Sequence, residues 1–525
     1  MTAPQNVVLG IDLGTTNSCV AELSEISGQP VPLENFEGGS TTPSVVYFES
    51  PEHIPVGVDA RRLAAARPEL VCAQVKRLMS MQPDERGGLL FHDVEYTPEE
   101  VSALILTKVV KDALATKQLP PDTHVRAVVT VPAYFGTIGK NATLQAGKLA
   151  GIDVLYLAPE PVAAAIAYAA SEGVAGQQTV LVYDLGGGTF DVAVVRTDGL
   201  GAAVVAFEGE RVLGGLDWDA SIVEWIRERA WEEKGVELPT DDAVLHQQLL
   251  ERAEEAKKSL TRSRSTEVAF YLEGRLYSFQ LTRETFEEIT RGKLDVTIRL
   301  TRNAIDTARA KGVTQIDRLL LVGGSSRMPA VTERLQAETG LPAALFKPDH
   351  AVAMGAAVLA NLVEDGTFEV DLTGTAEPLP PAARLVSMLT PKSLGLQLVD
   401  PADSRDYVGY VVPKNSELPA KASIQIETVV DQQTLMNIRV FEQRGEESEE
   451  PGENTLLHET PIALPHGLPK GAPLEAEFRV DDAGVLHVFL TDQTTGKTWE
   501  IKVDRLRAAD ADDLARLTPA IRAVA

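Results

Sequence analysis

The chain has 525 residues, and at roughly 150 residues per domain that length allows three to four domains. It is 44% hydrophobic and 24% charged, a globular composition that excludes a disordered or fibrous chain, and its 76 acidic against 49 basic residues (net charge −27) argue against nucleic acid as a partner. Two cysteines, Cys19 and Cys72, exclude a disulfide scaffold or a four-ligand zinc site and fit a reducing compartment. No apolar run is long enough to span a membrane, and no basic region precedes Val7–Ile11 as in a signal peptide, so the expected location is cytoplasmic.

In chain order, 7–23 (VVLGIDLGTTNSCVAEL) reads as strand, Gly-Thr turn, strand. Arg126–Val131 reads as a short strand, and Ile138–Leu149 and Pro161–Ala170 as helices. Residues 179–196 (TVLVYDLGGGTFDVAVVR) then repeat the first pattern: an Asp ends an apolar run, Gly and Thr follow, and a second apolar run begins. This echo predicts a duplicated architecture. Leu216–Lys234 and Ala243–Leu260 read as helices, the second with the charge pattern of a solvated face. Arg318–Val322, Gly323-Gly324-Ser325-Ser326 and Pro329–Glu338 read as strand, glycine turn and helix, followed by an Ala-rich buried helix over Ala351–Asn361.

The texture changes near residue 366. A turn-rich, Pro-containing stretch leads to the short apolar segment Arg384–Leu389. Beyond it, short β-rich runs occupy Leu394–Val399, Tyr407–Val412, Ala422–Thr428, Thr434–Phe441, Leu474–Val480 and Val485–Leu490, the pattern of a β-sandwich. Glu442–Glu453 reads as a solvated acidic loop, and Asp504–Ala525 as a short polar helix. The division is 1–370 for an α/β domain, 371–391 for a linker, 392–504 for a β domain and 505–525 for a helical stub.

Three glycine-rich turns in one domain point to phosphate chemistry. None is a P-loop, because no Gly-Lys-Ser/Thr follows, and the first two re-enter a strand rather than a helix. A hairpin turned by Gly and Thr aims backbone N–H groups and hydroxyls at one anion, and two facing hairpins would clamp a polyphosphate. Glycine is needed where a Cβ would block the approach. The third turn, at Gly323 and Gly324, lets a base or ribose lie against the backbone. Asp12 and Asp184 adjoin the first two turns. They suit Mg²⁺, which takes few carboxylates and keeps waters, although each Asp could instead cap its own turn.

At these residues the sequence resembles the heat-shock protein 70 family of DnaK-type chaperones. The resemblance is carried by GIDLGTTNSCVA (10–21), VKRL (75–78), AVVTVPAYF (127–135), PEPVAAAIAY (159–168), VYDLGGGTFDVAVV (182–195), VLGGLDWD (212–219), LLVGGSSRMPAV (320–331) and KPDHAVAMGAAV (347–358). In the β domain it continues through TPKSLGLQL (390–398), VVPKNSELPAK (411–421) and DDAGVLHV (481–488). The resemblance implies a duplicated, actin-like (ribonuclease H-like) α/β ATPase domain joined to a β-sandwich that binds extended hydrophobic peptide. It further implies that Gly14, Thr15 and Thr16 contact the phosphates of ATP or ADP from one side, and Gly186, Gly187, Gly188 and Thr189 from the other. Asp12 and Asp184 would hold Mg²⁺ largely through water, and Asp191 matches a position near bound K⁺. Lys76 and Glu160 would orient the attacking water or the γ-phosphate, giving a catalytic set of Lys76, Glu160, Asp184 and Thr189. Glu254, Lys257, Lys258, Gly323, Gly324, Ser325, Arg327 and Asp349 would surround the adenosine. Leu396, Leu398, Ile426, Val429, Met436 and Ile438 would line the peptide groove, although apolar residues on sandwich strands are often simply core.

The sequence departs from the family pattern at four places. It ends about where the helical lid would begin, which implies fast peptide exchange. Met388 stands where the linker usually carries Asp. Tyr156, Pro159 and Lys140 replace the usual Arg, Asn and Arg, near the J-domain docking surface and an allosteric relay, and Lys lacks the planar fork of Arg. The segment between Lys76 and Val101 is short. The predicted function is that of a cytoplasmic chaperone that hydrolyses ATP at the β–γ bond to control binding of unfolded segments, in protein folding and the stress response. A J-domain co-chaperone and a nucleotide exchange factor are candidate partners. The alternative is a nucleotide-dependent scaffold for one dedicated partner. A sugar kinase or actin-like filament would share the ATPase fold, but the β domain argues against both.

Overall fold

A computed structural model of the chain describes residues 6–82, 85–173, 176–198, 201–368, 386–400, 402–465, 468–482, 484–501, 503 and 511–524. Most of the linker assigned to 371–391, and the start of the 505–525 stub, lie outside the described residues.

The echo in the sequence is an echo in space. In the first half, strands Ile152–Pro159, His124–Val131 and Asn6–Asp12 run parallel, and Asn6–Asp12 turns back antiparallel into Asn17–Leu23 and then Pro30–Pro32. In the second half, Ala343–Leu345, Arg318–Val322 and Gln177–Leu185 run parallel, and Gln177–Leu185 turns back into Phe190–Asp198 and Gly201–Glu210. The strand order is the same in both. The equivalent Asp residues sit at equivalent ladder ends, Asp12 opposite Cys19 and Asp184 opposite Asp191. Central strands such as Val180–Tyr183 are buried on both faces, which is why they read as continuous apolar runs without alternation. Helices Glu160–Glu172 and Ala351–Glu364 cross between the two sheets, close enough that a Cβ on Gly355 would lie 1.7 Å from the Ala163 carbonyl oxygen.

The β domain is two four-stranded antiparallel sheets. One runs Asp406–Val412, Leu394–Val399, Leu435–Gln443, Asn454–Ala463; the other runs Ala420–Glu427, Pro473–Val480, Leu486–Asp492, Thr498–Ile501. Alternate residues Leu474, Ala476, Phe478 and Val480 point into the core, as period-2 patterning requires. The acidic stretch 442–453 is not a solvated loop throughout. Glu442 and Gln443 finish a strand and are buried, because Glu442 faces the first half of the chain: it accepts a hydrogen bond from the Thr137 N–H (3.0 Å) and pairs with Lys392 (2.9 Å).

Two further segments join the β domain to the rest. Val386–Leu389 is a strand, not a free linker: it adds in parallel to Gly201–Glu210 and pairs Met388 with Leu418 of the β domain. Val386, Met388 and Leu389 are buried, and the Tyr156 hydroxyl donates to the Met388 sulfur at 2.8 Å. An Asp at position 388 would be costly in that apolar setting, whereas Met fits it. The helix Ala511–Ala523 is not purely a polar stub: Leu517, Ala520 and Ala523 are buried in the core of the first half, and Ile54 donates its N–H to the Ala523 carbonyl at 2.9 Å.

Candidate functional site

Between the two halves lies a cleft of about 1020 Å³. Its wall includes Asp12, Gly14, Thr15, Thr16, Lys76, Glu160, Asp184, Gly186, Gly187, Thr189, Glu254, Lys257, Lys258, Gly323, Gly324, Ser325, Arg327 and Asp349. Every nucleotide-site residue expected from the sequence therefore lines one cavity, except Gly188, which abuts Thr15, and Asp191, which pairs with Asp184 in the ladder.

The two Gly-Thr hairpins face each other in contact. A Cβ on Gly187 would lie 1.8 Å from the Thr16 hydroxyl, and one on Gly188 would lie 2.3 Å from the Thr15 methyl carbon. Only glycine permits this approach. The hydroxyl oxygen of Thr16 is buried without a hydrogen-bond partner, as a group awaiting an anion or a water would be.

Beneath the hairpins is a buried ionic cluster. Lys76, on the short helix Lys76–Met79, forms an ion pair with Glu160, which opens the helix Glu160–Glu172. Burial alone would lower the Lys76 ammonium pKa, but Glu160, Asp12 and Asp191 outweigh it and hold the group above its ordinary value. Burial, with Glu160 as neighbour, pushes Asp12 up to about 6 against the pull of Lys76 and of the Thr130 hydroxyl, which donates to it at 3.0 Å. Asp184 and Asp191 are pushed well above the carboxylate range by burial and then by their acidic neighbours. Among the described residues, Lys76 is the one cation beside the buried Glu160, Asp184 and Asp191 and the half-buried Asp12. One Asp191 oxygen accepts from the Ala133 N–H at 3.0 Å, while the other is buried without a partner. Carboxyl groups held this hard to ionise, one of them with an unpartnered oxygen, form the donor set a cation completes, because its charge would let them ionise. Among the described residues no three His, Cys, Asp or Glu side chains converge as a direct metal-ligand group.

At the far end of the cleft, Glu254 pairs with Lys258 (2.7 Å) on its own helix and with Arg61 from the first half. Burial would raise Glu254, but Lys258, Arg61 and Lys257 together bring it below its usual value. Lys257 is not on a solvated face. It is buried, and it donates to the Gly215 carbonyl and to Asp219, both at 2.7 Å. Arg327 pairs with Asp349 across the turn at Gly323 and Gly324.

The sequence reading missed Arg61, Arg77, Asp217 and Asp219. The last three lie inside segments quoted for the resemblance, but their partners are distant in sequence and became visible only in the fold. Tyr156 and Pro159, expected near a partner surface, are buried, with Tyr156 beneath Met388 and packed edge-on against Phe368. Of the expected groove residues, Leu396 and Ile438 belong to the sandwich core, Leu398, Ile426 and Met436 are half-buried against it, and Val429 is exposed.

A family model described as Hsp70 protein matches residues 8–524. The chain is similar to two proteins named Chaperone protein DnaK, from two strains of Halobacterium salinarum, with 36% identity over 505 residues covering 95% of this chain and 75% of theirs. Fold and site together define an ATP-dependent chaperone. The chain belongs to the Hsp70 family. That family implies an actin-like ATPase domain followed by a β-sandwich, with which the mixed sheets, helices and sandwich are consistent. Nothing in these likenesses favours a dedicated scaffold.

Proposed function

We propose that the cleft hydrolyses ATP at the β–γ phosphoanhydride bond and that the outcome controls how the β domain holds extended hydrophobic peptide. The observation that carries this reading is the pair of contacting Gly-Thr hairpins above the buried Lys76–Glu160 pair. Thr15, Thr16 and the Gly186–Thr189 loop bind the phosphates with N–H and hydroxyl donors. Glu254, Lys258, Arg327 and Asp349 flank the adenosine, and the buried Lys257 orders that wall through Gly215 and Asp219. Glu160 accepts a hydrogen bond from the attacking water, and Lys76 stabilises charge on the γ-phosphate. The water oxygen bonds to the γ-phosphorus, the bond from that phosphorus to the bridging oxygen breaks, and ADP and inorganic phosphate leave.

Asp12 and Asp184 fit Mg²⁺ and Asp191 fits K⁺, given the excess of buried carboxylate. Bound there, the divalent ion would offset phosphate charge. The functional division follows 1–370, 371–391, 392–504 and 505–525, with the 386–389 strand as the physical link. J-domain and exchange-factor partners, and a cytoplasmic location, complete the proposal.

The test is single-turnover ATP hydrolysis with and without an unfolded hydrophobic peptide, beside Lys76→Ala. The expected result is hydrolysis that the peptide accelerates and the variant abolishes. Hydrolysis that persists in the variant, or ignores the peptide, would refute the coupled mechanism.

A further inference from the structure

Arg77 follows Lys76 on the short helix of the first half, yet its guanidinium reaches into the second half. Its Nε and Nη2 both donate to the Gly188 carbonyl, at 3.0 and 2.8 Å, and Nη2 also donates to Asp217 at 2.6 Å. The same Asp217 oxygen accepts the Gly214 N–H at 2.8 Å at the start of the helix Gly215–Lys234. Arg77 and Asp217 are largely buried, with side chains 16% and 22% exposed.

The phosphate loop is pinned by its carbonyls. The Gly186 carbonyl accepts from the Gly215 N–H (3.0 Å), and the Gly187 carbonyl from the Leu216 N–H (2.8 Å). The Gly188 carbonyl is held by Arg77. In a planar trans peptide the N–H of the next residue points opposite to the carbonyl. Holding these three carbonyls from behind therefore turns the N–H groups of Gly187, Gly188 and Thr189 towards the cleft. Two of the pins come from the same half as the loop. The third, which sets the Thr189 N–H, comes from the opposite half.

We propose that Arg77 is a positioning residue for hydrolysis: it fixes the Gly188–Thr189 peptide plane and makes that geometry depend on the two halves being closed. The inference rests on the ATPase reading above. A fork is required, because one terminus must satisfy a carbonyl and a carboxylate at once, and a lysine ammonium on a flexible stem does not hold both in fixed geometry. Opening of the cleft withdraws Arg77, releases the Gly188 carbonyl and loosens the grip on phosphate.

The experiment compares the full-length protein with Arg77→Met, Arg77→Lys, Asp217→Asn and the double variant Arg77→Met/Asp217→Asn. It measures single-turnover ATP hydrolysis, release of a fluorescent ADP, and the thermal midpoint without nucleotide. Arg77→Met should slow hydrolysis about 10- to 100-fold and speed ADP release about 10-fold, the scale of losing charge-assisted hydrogen bonds. Its midpoint should stay within about 3 °C of the wild type, and Arg77→Lys should fall between the two. The double variant should release ADP no faster than Arg77→Met alone, because Asp217 acts on release through Arg77. Wild-type release from Arg77→Met, or an Asp217→Asn effect that adds in full, would overturn the proposal. If Arg77→Met does not fold, Arg77→Lys combined with Asp217→Asn makes the same comparison. A wild type that binds but does not hydrolyse ATP would sink the ATPase reading, while ADP release would still test the clasp.

Discussion

Among the described residues, Lys76 is the only cation beside the four carboxyl groups Asp12, Glu160, Asp184 and Asp191, and its removal has two separable effects. Glu160 loses its buried partner, and breaking such a pair costs about 3–5 kcal/mol. The transition state also loses a charge stabiliser, typically worth about 100-fold or more in rate. We therefore expect Lys76→Ala to lower the denaturation midpoint without nucleotide as well as to stop hydrolysis. A Glu160→Gln/Lys76→Ala double variant should regain much of the stability and none of the rate. Equal stability of the single and double variants would show that the pair is not a buried ionic unit. Gly188→Ala tests the hairpin contact at the same scale. Its new Cβ would sit 2.3 Å from the Thr15 methyl carbon, so the hairpins must part and nucleotide affinity should fall at least about 10-fold by titration calorimetry. Unchanged affinity would show that the cleft is looser than its contacts suggest. Gly188 was legible in the sequence from its Gly-Thr turn, a local motif, whereas Lys76 was legible only through the family resemblance of VKRL, because an isolated Lys reads as a solvated surface residue.

Elements were mostly legible where periodicity was strong. Ala243–Leu260, Arg318–Val322 and Leu394–Val399 form as read. The 28-residue helix Arg283–Ala310, by contrast, was not read from the sequence at all. Its buried positions Phe286, Leu294, Ile298 and Ile305 recur at helical spacing, so the periodic signal was present, but Thr290, Thr297 and Thr301 on the same face dilute its hydrophobicity. The strand Asn454–Ala463 was likewise missed; only Asn454, Leu457 and Ile462 are buried, without period-2 alternation, and its pairing with Leu435–Gln443 is a tertiary fact. Packing at the crossing of the two central helices yields a prediction. Gly355→Ala places a methyl against the Ala163 backbone, which no rotamer change can relieve, so stability should fall by about 3 kcal/mol or more in urea denaturation. A loss below about 1 kcal/mol would mean that the helices can part cheaply.

Across the whole molecule, the interface between the ATPase half and the β domain contains Lys140, buried on the helix Thr137–Leu149 and facing Asp481 and Glu442. Burial outweighs both acids and brings Lys140 down from 10.5 to about 8. Undocked, its ammonium would return to water and to its ordinary value. The docked state then binds fewer protons than the undocked state between about pH 8 and 10.5, so docking strengthens as pH rises through that window. Below about pH 8 both states carry the charge, and docking bears the full cost of burying it. Protease cleavage near residues 386–389 should slow between about pH 7.5 and 9.5 relative to an unstructured control peptide. Lys140→Met should flatten the change, and an unaltered slope in that variant would remove Lys140 from the account.

By itself the sequence determined the duplication, the three glycine-rich turns, the β-sandwich and the family, because each depends on short-range patterning or on motifs of adjacent residues. Only the tertiary structure decided what Arg77, Asp217, Glu442, Met388 and the final helix do. Each of them finds its partner across more than 100 residues of chain or in the other half of the molecule. A long-range partner leaves no periodic trace, and a charged side chain reads as solvated until the fold supplies the group that faces it.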